Sequence, residues 1–262
     1  MESLPQRQKE ILNTAKKKGR VVVEQLATFF EVSPQTIRKD LNELCRRQLL
    51  QRVHGGAIIG SSIENVSYDA RKLLAPESKR AIGRRAASLI PNNCSLFINI
   101  GTTTEQVARE LTSHRGLMAI TNNIKAIDIL RSSSGIELII AGGLVRPSDG
   151  GIVGVAAVDF INQFKVDYAI IGVSGIDEEG VLLDYDLSEV RVAQAIIANS
   201  RHVIMVADMM KLGRNAPVRI GHIAEIDTLV LDGSPPVEFS RLCRENNVVI
   251  EVAQPESLAG PA

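Results

Sequence analysis

Apolar residues recur at helical spacing three times within the first fifty positions of the chain. This pattern predicts helices over residues 6–18, 23–32 and 34–48. Ser33 and Pro34 strengthen the third prediction, because they supply an N-cap and a proline at the first helical position. One stripe of this third helix is apolar and is formed by Ile37, Leu41 and Leu44. Another face is long, polar and basic, so the helix offers one side to a core and one to a polar partner.

Two short helices joined by a tight turn, the second beginning with Ser-Pro-Gln-Thr, are typical of a helix-turn-helix. The recognition helix of such a motif enters the major groove of DNA with its N-terminus first. Gln35 and Arg38 then reach base edges, whereas Ser33, Thr36 and Lys39 are suited to phosphates. The candidate DNA contacts on this helix are Ser33, Gln35, Thr36, Arg38, Lys39, Asn42 and Arg46. The alternative, for this helix taken alone, is an ordinary amphipathic helix with a solvated basic side.

Residues 49–57 have an apolar period of two and run into a Gly-Gly turn. This pattern predicts a two-stranded hairpin, the wing that lies against the DNA backbone in a winged helix. Arg52, His54 and Gly55 are the candidate phosphate contacts of the wing. The hairpin favours the DNA-binding interpretation of the preceding helix.

Beyond residue 76, short β-rich runs alternate with helical ones. The predicted strands are 96–100, 117–121, 137–141, 168–173, 203–207, 228–231 and 248–252. The predicted helices are 77–90, 104–113, 123–132, 155–165 and 187–199. This alternation indicates an α/β domain with a doubly wound, mostly parallel sheet of the Rossmann type, and such sheets bind ligands at the carboxyl ends of their strands.

Glycines, hydroxyl groups and amides follow several of these strands. Residues 100–104, Ile-Gly-Thr-Thr-Thr, follow the first strand and open a helix, so backbone N–H groups converge on a point that suits a phosphate. An ordinary turn with a Thr cap is the alternative for this segment alone. The candidate ligand-binding residues are Gly101, Thr102, Thr103, Thr104, Thr121, Asn122, Asn123, Gly142, Gly143, Arg146, Gly175 and Lys211. Of these, Arg146 stands in a polar loop that either closes over the site or forms a simple turn.

Composition first argues against a nucleic-acid partner, because 30 Lys and Arg balance 30 Asp and Glu over 262 residues. The charge is nevertheless unevenly divided. Residues 1–85 hold 17 Lys and Arg against 9 Asp and Glu, and residues 86–262 hold 13 against 21. A basic first part joined to an acidic remainder suggests a module that binds a polyanion, joined to a domain with a different function.

Several classes of protein are not expected. No apolar run approaches the roughly 20 residues of a membrane helix, and the first residues lack the apolar core of a signal peptide, which predicts a cytoplasmic protein without a membrane partner. The cysteines Cys45, Cys94 and Cys243 form no CxxC pair, and the histidines share no ligand spacing with them or with carboxylates. We therefore predict neither a metal nor a cofactor.

Both parts of the chain carry a family resemblance. Residues 7–57, with SPQTIRKDLNEL and the closing HGGA, resemble the winged helix-turn-helix of the DeoR family of bacterial transcriptional regulators. Residues 77–252 resemble the sensor domain of that family, which is related to ribose-5-phosphate isomerases. The matching stretches are FINIGTTTEQVA, AITNNIKA, IIAGGLVR, IIGVSGID and IIANSRHVIMVAD. At 208–213 the chain has DMMKLG, where the family often has a Ser before the Lys; Lys211 stays in place but its neighbours differ.

The resemblance implies an organisation and a function. We expect a DNA-binding domain at 1–57, a linker at 58–76, a sensor and oligomerisation domain at 77–252 and a flexible tail at 253–262. The implied function is a repressor of a glycerol or related sugar catabolic regulon, released from double-stranded operator DNA by glycerol 3-phosphate or a different sugar phosphate. A symmetric homo-oligomer, dimer or tetramer, is expected because two recognition helices read a repeated half-site more tightly than one.

The rival hypothesis is a DNA-tethered sugar-phosphate isomerase. That reaction needs a carboxylate base and groups that stabilise the developing oxyanion. The isomerases end the equivalent strand with an acidic turn, where this chain has Gly-Val-Ser-Gly at 172–175, and no Lys-Gly-Gly-Gly loop follows. Asp177, Asp184 and Glu189 are the possible substitutes. Since the binding loops are present and the catalytic ones are absent, the sequence favours a binding-only sensor.

Overall fold

The structure is a computed structural model that describes residues 4–18, 20–46, 49–53, 55–58, 65 and 68–254. The chain divides into two units, one up to residue 66 and one from residue 67 onward. Some predicted features lie outside the described residues. These are His54 of the wing, residues 59–64, 66 and 67 of the expected linker, and residues 255–262 of the expected tail.

The first unit contains three helices and a small antiparallel sheet. The helices are α1 (Gln6–Lys18), α2 (Val23–Phe29) and α3 (Pro34–Arg46). The strands are β1 (Arg20–Val22), β2 (Gln51–Val53) and β3 (Gly56–Ile58), in the order β1-β3-β2. The predicted wing is confirmed as β2 and β3, whereas β1 is too short to leave a periodic signal in the sequence. These elements form a winged helix-turn-helix.

The second helix ends three residues earlier than its apolar pattern predicts. The N–H groups of Phe30 and Val32 donate to Leu26 and Ala27, and Glu31 adopts a left-handed φ of 53°. A residue in that conformation stops a helix, so the turn begins before the apolar run is exhausted. The third helix begins where predicted, because the Thr36 N–H donates to Ser33 Oγ at 3.2 Å.

A buried core fixes the recognition helix in this unit. Ile37, Leu41 and Leu44 of α3 have no exposed surface, as their predicted spacing requires. Asp40 is also buried and accepts hydrogen bonds from Arg7 at 2.5 Å and Gln8 at 3.0 Å. Helix α1 therefore holds α3 through both apolar packing and a charged pair.

The second unit is built on a seven-stranded sheet in which every strand pair is parallel. Its strands are β4 (Ser95–Ile98), β5 (Leu117–Thr121), β6 (Ile136–Ile140), β9 (Val166–Gly172), β12 (Ser200–Val206), β14 (Thr228–Leu231) and β15 (Val249–Val252). All seven predicted strands are present, with limits shifted by at most three residues. From edge to edge the order is β15-β14-β12-β9-β4-β5-β6. The winding direction therefore reverses between β4 and β9, as in a doubly wound Rossmann-type sheet.

Helices cover both faces of this sheet. They are α4 (Tyr68–Leu73), α5 (Pro76–Ser88), α6 (Thr102–Leu111), α7 (Ile124–Leu130), α8 (Val155–Ile161), α9 (Leu187–Ala198) and α10 (Val237–Glu245). Helices α5 to α7 pack with Leu96 and Ile98 on one face. Helices α8 and α9 pack with the intervening Phe97 on the other, because successive strand residues point to opposite faces. Burying a side chain such as Phe97 contributes about 1.5–3 kcal/mol.

Several short elements escape prediction from the sequence. They are β7 (Leu144–Val145), β8 (Ile152–Val153), β10 (Gly175–Ile176), β11 (Val181–Asp184) and β13 (Val218–His222), together with α10. Strands β7 and β8 form a hairpin, and β10, β11 and β13 form a separate antiparallel sheet. Helix α4 lies inside the segment expected as a linker and belongs to the second unit. Every helix of the described chain is too short or too polar to cross a membrane.

Gly175 provides a test of the packing where β10 begins. A Cβ atom at Gly175 would lie 2.0 Å from the carbonyl oxygen of Arg214, whereas a Cβ at Gly142 would have no neighbour within 4 Å. We expect Gly175→Ala to lower the free energy of unfolding by about 1–3 kcal/mol. The control Gly142→Ala changes it by less than about 0.5 kcal/mol. Urea denaturation measures both, and equal effects would contradict this packing.

Candidate functional site

The outer face of α3 is the basic surface of the first unit. Ser33, Gln35, Arg38, Lys39, Asn42 and Arg46 are exposed, and Thr36 is half-buried. The nearest charged partner of Arg38 is Glu24, at 3.9 Å between Nη2 and Oε1. Such an exposed and loose ion pair is weak, so the guanidinium can turn to another acceptor. The structure thus brings the predicted helix contacts together on one accessible face.

Four of the predicted DNA contacts, Ser33, Thr36, Arg46 and Arg52, also bond within the protein. Ser33 caps α3 and its hydroxyl lies 2.9 Å from that of Thr36. Arg46 forms two hydrogen bonds to Glu43, at 2.8 and 2.9 Å. In the wing, Arg52 donates to the carbonyl of Gly56, and Gly55 forms the exposed turn with φ 71°. The side chains of Gln35 and Arg38 are exposed, and within the described residues Arg38 has only the loose ion pair with Glu24.

The second candidate site lies at the carboxyl edge of the parallel sheet, where β4 and β9 diverge. Gly101 follows β4 with φ 150°, and Thr102 begins α6 directly after it. The Thr104 hydroxyl donates to the carbonyls of Asn99 and Gly101, both at 2.8 Å, and so fixes the shape of this loop. The first N–H groups of a helix have no partner within it, so the start of α6 offers donors to an anion.

Strand β9 reaches the same place from the other side of the reversal. A Cβ atom at Gly172, the last residue of β9, would lie 3.6 Å from both the Ile100 carbonyl oxygen and a Thr104 methyl. A larger residue there would narrow the crevice between the two strand ends. Gly175 follows closely, but its surroundings are filled by the Arg214 backbone.

The predicted residues after β5 hold the loops of the site. Thr121 donates to the Ile98 carbonyl at 2.6 Å, and Asn123 caps α7 by accepting from Lys125 at 2.9 Å. Asn122 donates to the Ile152 carbonyl at 3.1 Å and thereby joins β5 to the β7–β8 hairpin. Its buried amide oxygen accepts no hydrogen bond from the described residues, which leaves an unused acceptor at this edge.

Gly142 and Gly143 lie on the exposed turn that leads from β6 to β7. Gly143 has φ 152°, and a Cβ atom there would lie 2.8 Å from the Val153 carbonyl oxygen. This glycine is therefore required for closure of the hairpin. The structure places both glycines farther along the sheet edge than the β4–β9 crevice, because they follow the edge strand β6.

Lys211 lies in a short 3₁₀ turn after β12 and is half-buried. Within the described part of the chain its ammonium makes no hydrogen bond or ion pair. Burial lowers the pKa of Lys211 to about 8; Asp208 opposes this shift, and the charges of Arg214, Arg71 and Lys79 add to it. A cation held among other cations attracts an anion strongly.

Arg146 is saturated by carboxylates. Its guanidinium forms two hydrogen bonds to Asp149, at 2.9 and 2.7 Å, and ion pairs with Asp186 at 3.0 Å and with Glu189. Burial and the nearby Asp184 carboxylate raise the pKa of Glu189 to about 7, against the opposing charges of Arg146 and Arg71. Removing one partner from such a buried network costs about 3–5 kcal/mol, so Arg146 serves to fix the loop.

Two cationic residues of this site were missed by the sequence prediction. Arg71 on α4 contacts Asp149, at 3.5 Å between Nη2 and Oδ2, and the buried Lys79 donates to the Arg71 carbonyl. Arg71 lies in the segment expected as a linker, and nothing in its spacing links it to strand ends far along the chain. Only the fold brings it to the sheet edge.

The candidate bases of an isomerase have structural tasks instead. Asp177 accepts from the N–H groups of Glu179 and Val181 in the turn before β11. Asp184 is buried and accepts from the N–H of Tyr185 at 2.6 Å, and Glu189 is paired with Arg146. In the described part of the chain, His, Cys, Asp and Glu form no group of three or more that could hold a metal ion.

A winged helix with an exposed basic recognition helix, joined to a doubly wound domain with a cationic crevice, defines a class: DNA-binding transcription regulators that respond to a ligand. Two family models match the chain, a DeoR-like helix-turn-helix domain over residues 7–62 and a DeoR C terminal sensor domain over residues 74–233. The chain belongs to the DeoR family of transcriptional regulators. The fold class and the family predicted from the sequence are confirmed.

Curated relatives of the chain are repressors. The glycerol-3-phosphate regulon repressor of Escherichia coli is 45% identical over 94% of this chain and 98% of its own length. The protein of the same name from Haemophilus influenzae is 44% identical over 87% and 89%. The transcriptional repressor GlcR of Bacillus subtilis is 32% identical over 93% and 94%. These relatives confirm the prediction of a regulator over that of an enzyme.

Solved structures align more weakly. A ribose-5-phosphate isomerase from Plasmodium falciparum is 16% identical and matches 51% of this chain and 52% of its own, with a TM-score of 0.38. An eIF2B beta subunit from Chaetomium thermophilum matches 65% and 54%, with 15% identity and a TM-score of 0.46.

Proposed function

We propose that this chain represses a glycerol 3-phosphate catabolic regulon and leaves its operator when glycerol 3-phosphate binds at the carboxyl edge of its parallel sheet. The observation that carries the effector assignment is the Lys211 ammonium, which lacks an ion pair within the described chain. The names of the relatives from two bacteria support the choice of glycerol 3-phosphate. A different sugar phosphate is the alternative effector.

In this proposal the first unit binds double-stranded DNA through α3 and the wing. Gln35 and Arg38 contact base edges, and the remaining predicted residues contact phosphates or fix the register of the helix. The arrangement of exposed side chains on α3 supports these roles. We also propose a homo-oligomer, because a single winged helix covers one half-site while a symmetric pair covers two. As a DNA-binding regulator, the chain would act in the cytoplasm.

The effector phosphate would lie between the start of α6 and Lys211. Strands β4 and β12 both flank β9, so the chain segments that follow them lie close together on the same edge of the sheet. Gly101, Thr102 and Thr103 supply backbone donors, and Lys211 supplies a charge. The buried oxygen of Asn122 is a candidate acceptor for an effector hydroxyl. The other predicted residues, from Thr104 to Gly175, shape this crevice and its loops.

The first test of this function concerns base reading by Arg38. We expect Arg38→Ala to weaken binding to an operator duplex by about 5–150-fold, equivalent to 1–3 kcal/mol, and to relax the preference for one base pair. Fluorescence anisotropy over a salt series measures both effects, on duplexes that the wild-type chain has selected from a random pool. The wild-type affinity should fall steeply with salt, because phosphate contacts release counterions.

Arg80→Ala is the matched control for this experiment. Arg80 is an exposed arginine of the second unit with an i,i+3 ion pair to Glu77, so its loss removes the same charge. Operator affinity should change little in this variant. Binding that is independent of salt, or an equal loss in both variants, would contradict the proposed DNA-binding face.

The second test concerns the charge of Lys211. We expect glycerol 3-phosphate to bind more weakly as the pH rises above about 8, because the Lys211 ammonium then loses its proton. The phosphate itself stays doubly charged there, since its second pKa is near 6. Lys211→Met should weaken binding at pH 7 by about 10-fold or more, the value of one charge-assisted contact. This variant should also lose the pH-dependent step. Isothermal titration calorimetry between pH 7 and pH 9.5 measures these changes.

Lys125→Met serves as the control, because Lys125 is exposed on α7. Ribose 5-phosphate, fructose 6-phosphate, inorganic phosphate and glycerol complete the panel of ligands. The effector assignment is wrong if no phosphorylated compound binds. If the pH-dependent step persists in Lys211→Met, the assignment of that step to Lys211 is wrong.

A further inference from the structure

Polar contacts hold helix α4 in place within the second unit. The Tyr68 hydroxyl donates to Glu105 of α6 at 2.8 Å, and Arg71 contacts Asp149 in the turn between β7 and β8. Lys79 of α5 donates to the Arg71 carbonyl. The helix thus touches both α6, whose first residues form the phosphate-suited loop, and the turn that covers the sheet edge.

Arg71 differs from the other buried guanidinium of this edge in how its donors are used. The two side chains are similarly buried, with 18% of Arg71 and 16% of Arg146 exposed. Arg146 pairs with three carboxylates, whereas Arg71 has one ion pair within the described part of the chain, and that pair is long, at 3.5 Å to Asp149. Among the residues that the structure describes, the buried Nε of Arg71 has no hydrogen-bond partner. An unsatisfied charged donor in the interior is costly unless a ligand completes it.

Arg71 lies within electrostatic range of Lys211. Its charge contributes to the lowered pKa of Lys211 and opposes the rise in the pKa of Glu189. Lys79 contributes to the same cluster, and burial lowers its own pKa to about 8. Arg71 and Lys211 therefore lie near one another, and each has N–H donors that form no hydrogen bond with the described residues. The guanidinium of Arg71 is a planar fork of donors, whereas the ammonium of Lys211 is a point charge. A phosphate accepts from both kinds of donor at once.

We propose that Arg71 binds the effector phosphate directly, opposite Lys211, and that its Nε–H donates to a phosphate oxygen. This inference rests on the function proposed above and adds to the site a residue from α4. Helix α4 is the first described helix after residue 66, where the first unit ends. A phosphate bound by Arg71 therefore contacts the helix that comes directly after the connection to the DNA-binding unit in the sequence. Effector binding at Arg71 would thus be coupled to that connection through α4.

The test compares Arg71→Gln with Lys72→Gln, its exposed neighbour on the same helix. Calorimetry at pH 7 uses glycerol 3-phosphate, inorganic phosphate and glycerol as probes, with the full chain. We expect Arg71→Gln to lose at least 10-fold in affinity for glycerol 3-phosphate and to lose affinity for inorganic phosphate. Lys72→Gln should stay within threefold of the wild type.

Arg71→Lys keeps the positive charge but loses the planar guanidinium, so its affinity for glycerol 3-phosphate should be intermediate. If Arg71→Gln fails to fold, Arg71→Lys replaces it in the comparison. The rise in melting temperature caused by inorganic phosphate separates binding from structure. A purely structural Arg71 would lower the melting temperature of the free chain and leave that rise intact, which overturns the inference.

The outcomes also separate this inference from the proposed function. If the wild type binds glycerol 3-phosphate and both Arg71 variants bind it within threefold, Arg71 is not a ligand while the proposed function stands. If the wild type binds none of the phosphorylated probes, the proposed function is wrong, and the inference falls with it.

Discussion

The reversal of winding between β4 and β9 is the constraint on which the sensor unit depends. All strands of its sheet run parallel, so every carboxyl end lies at one edge, and the chain turns away to opposite faces at these two strands. The divergence leaves a crevice between the ends of the two strands. Gly101 and Gly172 place no side chain in this crevice, so it stays open to a ligand. The start of α6 supplies hydrogen-bond donors there.

Charge is then distributed around this crevice. Carboxylates of the β7–β8 turn and of α9 saturate Arg146 and fix the loops, while Lys211 and Arg71 keep bonding capacity for an anion. The first unit is arranged in a similar way, since the basic face of α3 is exposed while Arg7 and Gln8 of α1 donate hydrogen bonds to Asp40 on the buried side of α3. The net charge of zero is thus a balance between two binding surfaces and an acidic body.

Local patterns in the sequence sufficed to predict the seven strands of the parallel sheet and the start of α3. The five inner strands of the sheet each bury several apolar residues, and Ser33 with Pro34 marks the start of α3, so neighbouring residues are enough to predict these features. A strand of two residues, such as β7, is too short to show a period. The roles of Arg71 and Arg146 depend on partners up to 78 positions away, so only the fold reveals that one is saturated and the other is not.

The central claim is that effector and operator bind the same chain with opposed preferences. Thermodynamic linkage makes this measurable: the affinity for glycerol 3-phosphate is determined for the free chain and for the chain bound to an operator duplex. Our account predicts that DNA weakens effector binding by about 5–150-fold, the usual range of coupling, and that saturating effector weakens operator binding by the same factor. Equal effector affinities with and without DNA would contradict the account.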